Sequence, residues 1–164
     1  MKVSIVQACS KNKFPFNIVA LAIKYFQNTN YSHYAIEVDS GEGMLLYYDS
    51  TGRGTRKRTL SSFNSSHRIT KRFTVNELIT FIEYSDFWAK HEGKSYGFIQ
   101  VFGLLLKLAN IIKNNPFGKG AKRIICNELV ILFLNEFGYT NIVDTDSLDL
   151  KDTEEILKKV LYEK

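Results

Sequence analysis

Two cysteines, two prolines and one tryptophan in 164 residues leave little material for an unusual scaffold. Cys9 and Cys126 are too few for a disulfide framework, and a reducing setting is expected to keep both as thiols. No internal repeat and no low-complexity tract is present. The apolar run in MKVSIVQACSK is broken by Lys11 and Lys13, which does not fit a secretory signal. The greasiest segment, residues 97–112, carries Gln100, Lys107 and Asn110 and is too short and polar to span a bilayer. The expectation is a cytoplasmic protein with no signal peptide and no transmembrane helix. What remains is ordinary globular material: 45% apolar, 24% charged, net charge +5. The length fits a single domain, 1–164, with a fair-sized core.

Strands come first and helices later. Residues 2–8 alternate as a strand. Pro15 opens a helix that Asn28–Asn30 close. YSHYAIEV (31–38) and MLLYYDS (44–50) flank the turn cluster DSGEG, predicting a β-hairpin. TRKRTL and HRITKRFTV predict two short basic strands around a Ser/Asn-rich connection at 61–66. Thr74 and Glu77 fit a capping box for a helix running to about Lys90. An apolar helix follows over 97–113, then a loop at 113–123, then a helix from ICNELV that stops at Gly138, a C′ glycine. Asp152 and Glu155 are candidate caps for a last helix. The class is α+β.

His33 is the odd residue of its strand. Tyr34, Ile36 and Val38 point one way; His33, Ala35 and Glu37 point the other. With the hairpin pivot at Gly41, residues whose numbers add to 82 oppose each other, and Asp49 faces His33 within reach of a hydrogen bond. A pivot giving sums of 83 would place Ser50 there instead and turn Asp49 away. Cys126 stands where a glycine-containing loop becomes a helix whose next residues, LVILFL, are apolar almost all round; such a helix is normally central. N–H groups and the macrodipole at a helix N-terminus favour a thiolate and can hold an oxyanion. Cys126 as nucleophile, His33 as base and Asp49 as the group orienting the base form a coherent set. Singly, each has a plainer role: a strand histidine, a small buried hydrophobe and a turn aspartate. Glu128 reads as complementing the helix dipole. Cys9 reads as structural, with a place near the site or a redox pairing with Cys126 as alternatives. His67 and His91 read as solvated. No metal or cofactor is expected.

At these residues the chain resembles the circularly permuted branch of the NlpC-type papain-like superfamily, which includes YiiX-like amidohydrolases and, more distantly, lecithin:retinol acyltransferase-like proteins. NYSHYAIEV is similar to that family's histidine strand, MLLYYDSTGRG to the next strand with its acidic residue, and IICNELV to its cysteine helix start. The resemblance covers roughly residues 1–150. It implies a permuted papain-like fold, an antiparallel sheet packed against a central helix bearing the cysteine. It also implies hydrolysis or transfer of an amide, thioester or ester through an acyl-cysteine, with Cys126, His33 and Asp49 as the triad. Asp49 stands where YiiX-like proteins often carry Glu and acyltransferase-like ones His. Some relatives place a tyrosine near the site, for which Tyr96 and Tyr139 are both candidates. In the mechanism this suggests, the Cys126 N–H and the Asn127 side chain stabilise the oxyanion. The expected partner is an amide- or ester-containing substrate: a peptidoglycan peptide, a lipid or a protein.

Two other readings compete. Arg53, Arg56, Lys57, Arg58, Arg68, Lys71 and Arg72 form a basic stretch that would meet phosphates in a nucleic-acid-binding protein. No RNA-binding aromatic motif accompanies it, and basic strands more often blunt a sheet edge; nucleic acid is not the expected partner. The apolar 97–112 helix, with Lys107, Lys113, Lys119, Lys122 and Arg123 on or after it, suits contact with an anionic membrane surface. Its plainer role is core packing against the cysteine helix.

Overall fold

Alternating apolar and polar residues carry five strands into one antiparallel sheet. The computed structural model describes residues 1–11, 18–41, 43–75, 79–113, 115, 117 and 122–163. The strands are β1 (Lys2–Ser10), β2 (His33–Asp39), β3 (Leu45–Thr51), β4 (Gly54–Thr59) and β5 (His67–Thr74). Their order in space is β4-β3-β2-β1-β5. Two short parallel strands, β6 (Ser95–Tyr96) and β7 (Arg123–Ile124), form a second sheet. A two-residue strand, β8 (Tyr162–Glu163), adds to β5. The helices are α1 (Ile18–Gln27), α2 (Leu60–Ser66), α3 (Phe81–His91), α4 (Phe98–Leu108), α5 (Cys126–Glu136) and α6 (Leu150–Val160). The chain is α+β, as its pattern predicts. Among the described residues, no helix is long and apolar enough to cross a membrane.

The two faces of the sheet are covered unequally. Tyr34, Ile36 and Val38 join a large core with Leu129, Val130, Phe133 and Leu134 of α5, which lies against β2 and β3. Phe87 meets Phe133 edge-on at 5.5 Å between ring centroids, bringing α3 into the same core. On the opposite face Val6, Ala8, Ala35 and Tyr47 pack on Phe63 of the small helix α2. That helix occupies the segment 61–66 expected as a plain connection. Because the strands are antiparallel, the start of β2, the end of β3 and the starts of β4 and β5 all fall at one end of the sheet. His33, Asp49, Arg56 and His67 are brought together there by topology alone.

Several expected boundaries move. Thr74 is the last residue of β5, and the capping box is Thr80 with Glu83 opening α3; Glu77, the other half of the expected box, lies outside the described residues, as does Pro15. Asp149 is the cap of α6, with Asp152 as its N3 partner rather than the cap itself. α4 ends at Leu108, short of residue 113. It buries Val101 and Leu104 in the main core while Phe98, Ile99 and Phe102 stay exposed, and it packs chiefly on α1 rather than α5. Gly138 holds the expected position, with φ +75°. The N–H of Gly138 meets the Asn135 carbonyl, and that of Tyr139 the Leu134 carbonyl at 2.8 Å, closing α5 in a Schellman motif.

Leu129, in the first turn of α5, has no exposed surface. Leu129→Ala is expected to lower unfolding stability by about 3 kcal/mol in urea titrations. Thr80→Ala, which removes only a cap, should cost about 1 kcal/mol.

Candidate active site

Asp49 is fully buried on β3, and a carboxylate there needs partners. It has two: its Oδ2 accepts from His33 Nε2 at 3.1 Å and from Arg58 Nη1 at 3.2 Å. The hairpin register differs from the Gly41 pivot. Ile36 faces Tyr48 and Glu37 faces Tyr47, so opposed numbers add to 84 rather than 82. The shift is of even parity. Asp49 therefore keeps the face of His33 and reaches it diagonally, one step along the strand. Burial pushes the Asp49 carboxyl up, but the His33 hydrogen bond and charge, followed by the Arg58 charge, bring it below the usual aspartate range.

Arg58 belongs to the basic stretch of the sequence. It is 6% exposed and anchored by α2: Nη2 donates to the Ser62 carbonyl and to Ser66 Oγ, the latter at 2.7 Å. His67 is not solvated. Its ring stacks on His33 at 4.7 Å between centroids and on Phe63 at 5.0 Å. Burial, then the His33 charge, pull its pKa down to about 3, so it stands neutral beside the first histidine. His91 is also buried, with Lys94 Nζ 3.1 Å from its Nδ1, and burial lowers its pKa to about 4. Neither the spacing nor the composition around His67 and Arg58 marked them; both became visible once α2 folded over the sheet.

His33 has Nε2 occupied by Asp49, which leaves Nδ1 for a second partner. Cys126 is close enough to act on the ring. Burial by itself lowers the His33 pKa, yet it is raised to about 10 because Cys126, by charge and hydrogen bonding, and Asp49, by the same two effects, favour the imidazolium. Cys126 is the first residue of α5 and is 4% exposed. Ser50 of β3 fixes that helix end by donating from Oγ to the Ile124 carbonyl at 2.7 Å. Gly97 lies against Ile125 so closely that a Cβ would stand 3.0 Å from its methyl group. These contacts hold the helix N-terminus at the end of the sheet that carries His33.

The remaining candidates separate cleanly. Tyr96 neighbours Cys126: desolvation, then the Cys126 charge, push its phenol up. Tyr139 follows the C-terminal end of α5, about 15 Å of helix away from Cys126. The Asn127 side chain donates to the Leu148 carbonyl at 2.7 Å, which occupies one of its two amide hydrogens. Backbone N–H groups of the first turn of α5 have no intrahelical partner and are the better candidates. Glu128 Oε2 accepts from the Ile125 N–H at 3.3 Å and from Gln100 at 3.2 Å. Burial foremost raises its pKa to about 7. Cys9 is half-buried, with its sulfur 3.5 Å from Lys24 Nζ, and both cysteines are free thiols. Among the described residues no group of three His, Cys, Asp or Glu side chains is placed to hold a metal.

A cleft of about 680 Å³ opens at this end of the sheet, lined in part by His33, Ser50, Arg56, Tyr96 and Phe98. His33 and Tyr96, the two neighbours of Cys126, both face it. No model of a known family matches the chain, and no curated protein matches it.

Arg58→Ala removes one of two partners of a buried carboxylate and is expected to cost about 3 kcal/mol in urea unfolding at pH 7. His67 makes a separate contribution. Its folded pKa lies below the unfolded value of 6.5, so its neutral form supports the fold above pH 6.5 and that support drains away as pH falls toward 3. His67→Phe is expected to flatten the loss of stability between pH 6.5 and 4, read as urea midpoints at each pH.

Proposed function

We propose that the chain is a cysteine hydrolase or acyl-transfer enzyme of the permuted papain-like kind, working through a Cys126–His33–Asp49 triad on an amide, thioester or ester. The observation that carries the reading is one buried chain of contacts. Asp49 holds Nε2 of His33 at 3.1 Å, and Cys126, at the tip of the central helix, lies near enough to favour the imidazolium. Few structural roles require a carboxylate, an imidazole and a thiol in that order beside a cleft.

His33 takes the Cys126 proton to give an imidazolium–thiolate pair. The sulfur attacks the carbonyl carbon, a C–S bond forms, and the carbonyl electron pair moves onto oxygen. N–H groups at the start of α5 and the Tyr96 hydroxyl receive that charge; one such donor is worth on the order of 10²–10³ in rate. His33 then gives its Nδ1 proton to the leaving amine, thiol or alcohol as the bond to carbon breaks. Water or another acceptor, losing its proton to His33, attacks the acyl-cysteine and frees the thiolate. Asp49 keeps the ring oriented throughout and stabilises its positive form.

The basic stretch favours the enzyme over a nucleic-acid binder. Arg58 is committed to Asp49, Arg72 to Glu37 at 3.0 Å and Lys71 to Glu154 at 3.3 Å, so at least three of its cations are already paired. A membrane-surface role draws support from one feature: Ile18, Leu21 and Phe26 of α1 and Phe98, Ile99 and Phe102 of α4 are exposed on two helices that pack together. Co-sedimentation with anionic liposomes, abolished by Phe102→Asp, is the outcome that role requires.

A thiol-directed acylating probe should label Cys126. Cys126→Ala and His33→Ala are expected to abolish labelling of the folded protein, and Cys9→Ser to leave it intact. Label on Cys9 with Cys126 inert would defeat the reading. Because the His33 proton is held up to about pH 10, probe turnover is expected to fall only on the far alkaline side, near that value. Asp49→Asn should move the fall to lower pH.

A further inference from the structure

We infer that the cleft binds a substrate bearing an oxyanion, a carboxylate or phosphate group, held by Arg53, Arg56 and Ser32 beside the reacting centre. This deepens the thiol-enzyme reading and rests on it for the word substrate. Among the described residues that line the cleft there are three arginines and no aspartate or glutamate. Arg58 is spent on Asp49. Among the described residues Arg53 and Arg56 form no salt bridge, although the Asp49 charge reaches Arg56.

Two buried polar groups in the lining have nothing to bond. Ser32 is 6% exposed, and its Oγ is enclosed without a hydrogen-bond partner among the described residues. The Nε of Arg56 is in the same condition. Buried polar atoms are satisfied in the great majority of cases, so two orphans in one concave wall mark the place of a missing acceptor. A hydroxyl and a guanidinium are both donors, and together they suit an anionic oxygen rather than a cation or a second amine. Ser32 precedes His33 in the chain, and Arg56 lies opposite Asp49 in the β3–β4 register, so both donors stand next to the triad. Burial, then the charge of Arg58, lower the Arg56 pKa; a bound anion would relieve that crowding. Across the cleft Val19, Ile23 and Phe98 form an apolar wall for the rest of the ligand.

The site is tested in two arms. In the first, Cys126→Ala protein is titrated with inorganic phosphate and, separately, with acetate at constant ionic strength. The arginine Nε–H signals are followed by ¹H–¹⁵N NMR. A saturable shift of the Arg56 signal is expected, with affinity about tenfold weaker in Arg53→Gln, as the loss of a charge-assisted contact implies. The tighter of the two anions names the group. A shift that does not saturate and spreads over surface lysines and arginines would mean an adventitious ion only and overturn the proposal. In the second arm, Cys126 of the wild type is alkylated with iodoacetate or iodoacetamide, each forming a C–S bond and expelling iodide, and the adduct is quantified by mass spectrometry. The ratio of anionic to neutral rates is expected to fall about tenfold in Arg56→Gln. An unchanged ratio overturns the placing of the anion beside the thiol. If neither reagent modifies Cys126 in the folded wild type, while both do in urea, the thiol-enzyme reading fails. The phosphate and acetate titrations then decide the anion site alone.

Discussion

A carboxylate with no access to water governs this end of the molecule. Asp49 cannot remain ionised inside the sheet unless positive or donating groups are brought to it, and among the described residues Arg58 and His33 bond it directly. Each of those groups must in turn be held. Arg58 is fixed by the Ser62 carbonyl and Ser66 hydroxyl of α2, which makes that seven-residue helix a bracket for the site as well as the carrier of Phe63, which packs on the sheet. His33 is fixed by the carboxylate on one edge and by the flat face of a neutral His67 on the other. The result is an imidazole held in one orientation near the helix tip that carries Cys126.

The apolar core supplies the second half of that arrangement. α5 is buried along nearly its whole length because six of its residues after Glu128 are aliphatic or aromatic. Its position against β2 and β3 is therefore set by packing, and its N-terminal residue falls where the packing leaves it. The Ser50–Ile124 hydrogen bond and the close approach of Gly97 to Ile125 make that position definite. Packing and polar satisfaction converge at one end of the sheet, and a cleft opens beside the place where they meet.

The sequence made Cys126, His33 and Asp49 legible for different reasons. Cys126 was found from the apolar run that follows it, a feature of helix burial. His33 and Asp49 were linked by strand parity, which survives a shift of two in the sum of paired numbers although the exact partner does not. Features set by loop and cap geometry were harder to read. The capping box moved from Thr74 to Thr80 because the basic strand runs on through Thr74. Asn127, adjacent to the cysteine in sequence, turned out to serve the Leu148 carbonyl, since successive helical side chains point about 100° apart. Arg58 and His67 gave no signal at all: a charge in a basic run and a histidine among polar neighbours look solvated until a helix closes over them.

By itself the chain's pattern determined the α+β class, the central apolar helix with a thiol at its head, the hairpin bearing histidine and aspartate on one face, and the stop at Gly138. These follow from periodicity and local backbone chemistry, which act between residues near in sequence. Only the tertiary structure decided that Tyr96 and not Tyr139 stands by the sulfur, that Arg58 completes the partners of Asp49, and that Arg53, Arg56 and Ser32 share a cleft. Those relations join residues from different elements, and their distances depend on how strands and helices pack, which no local pattern encodes.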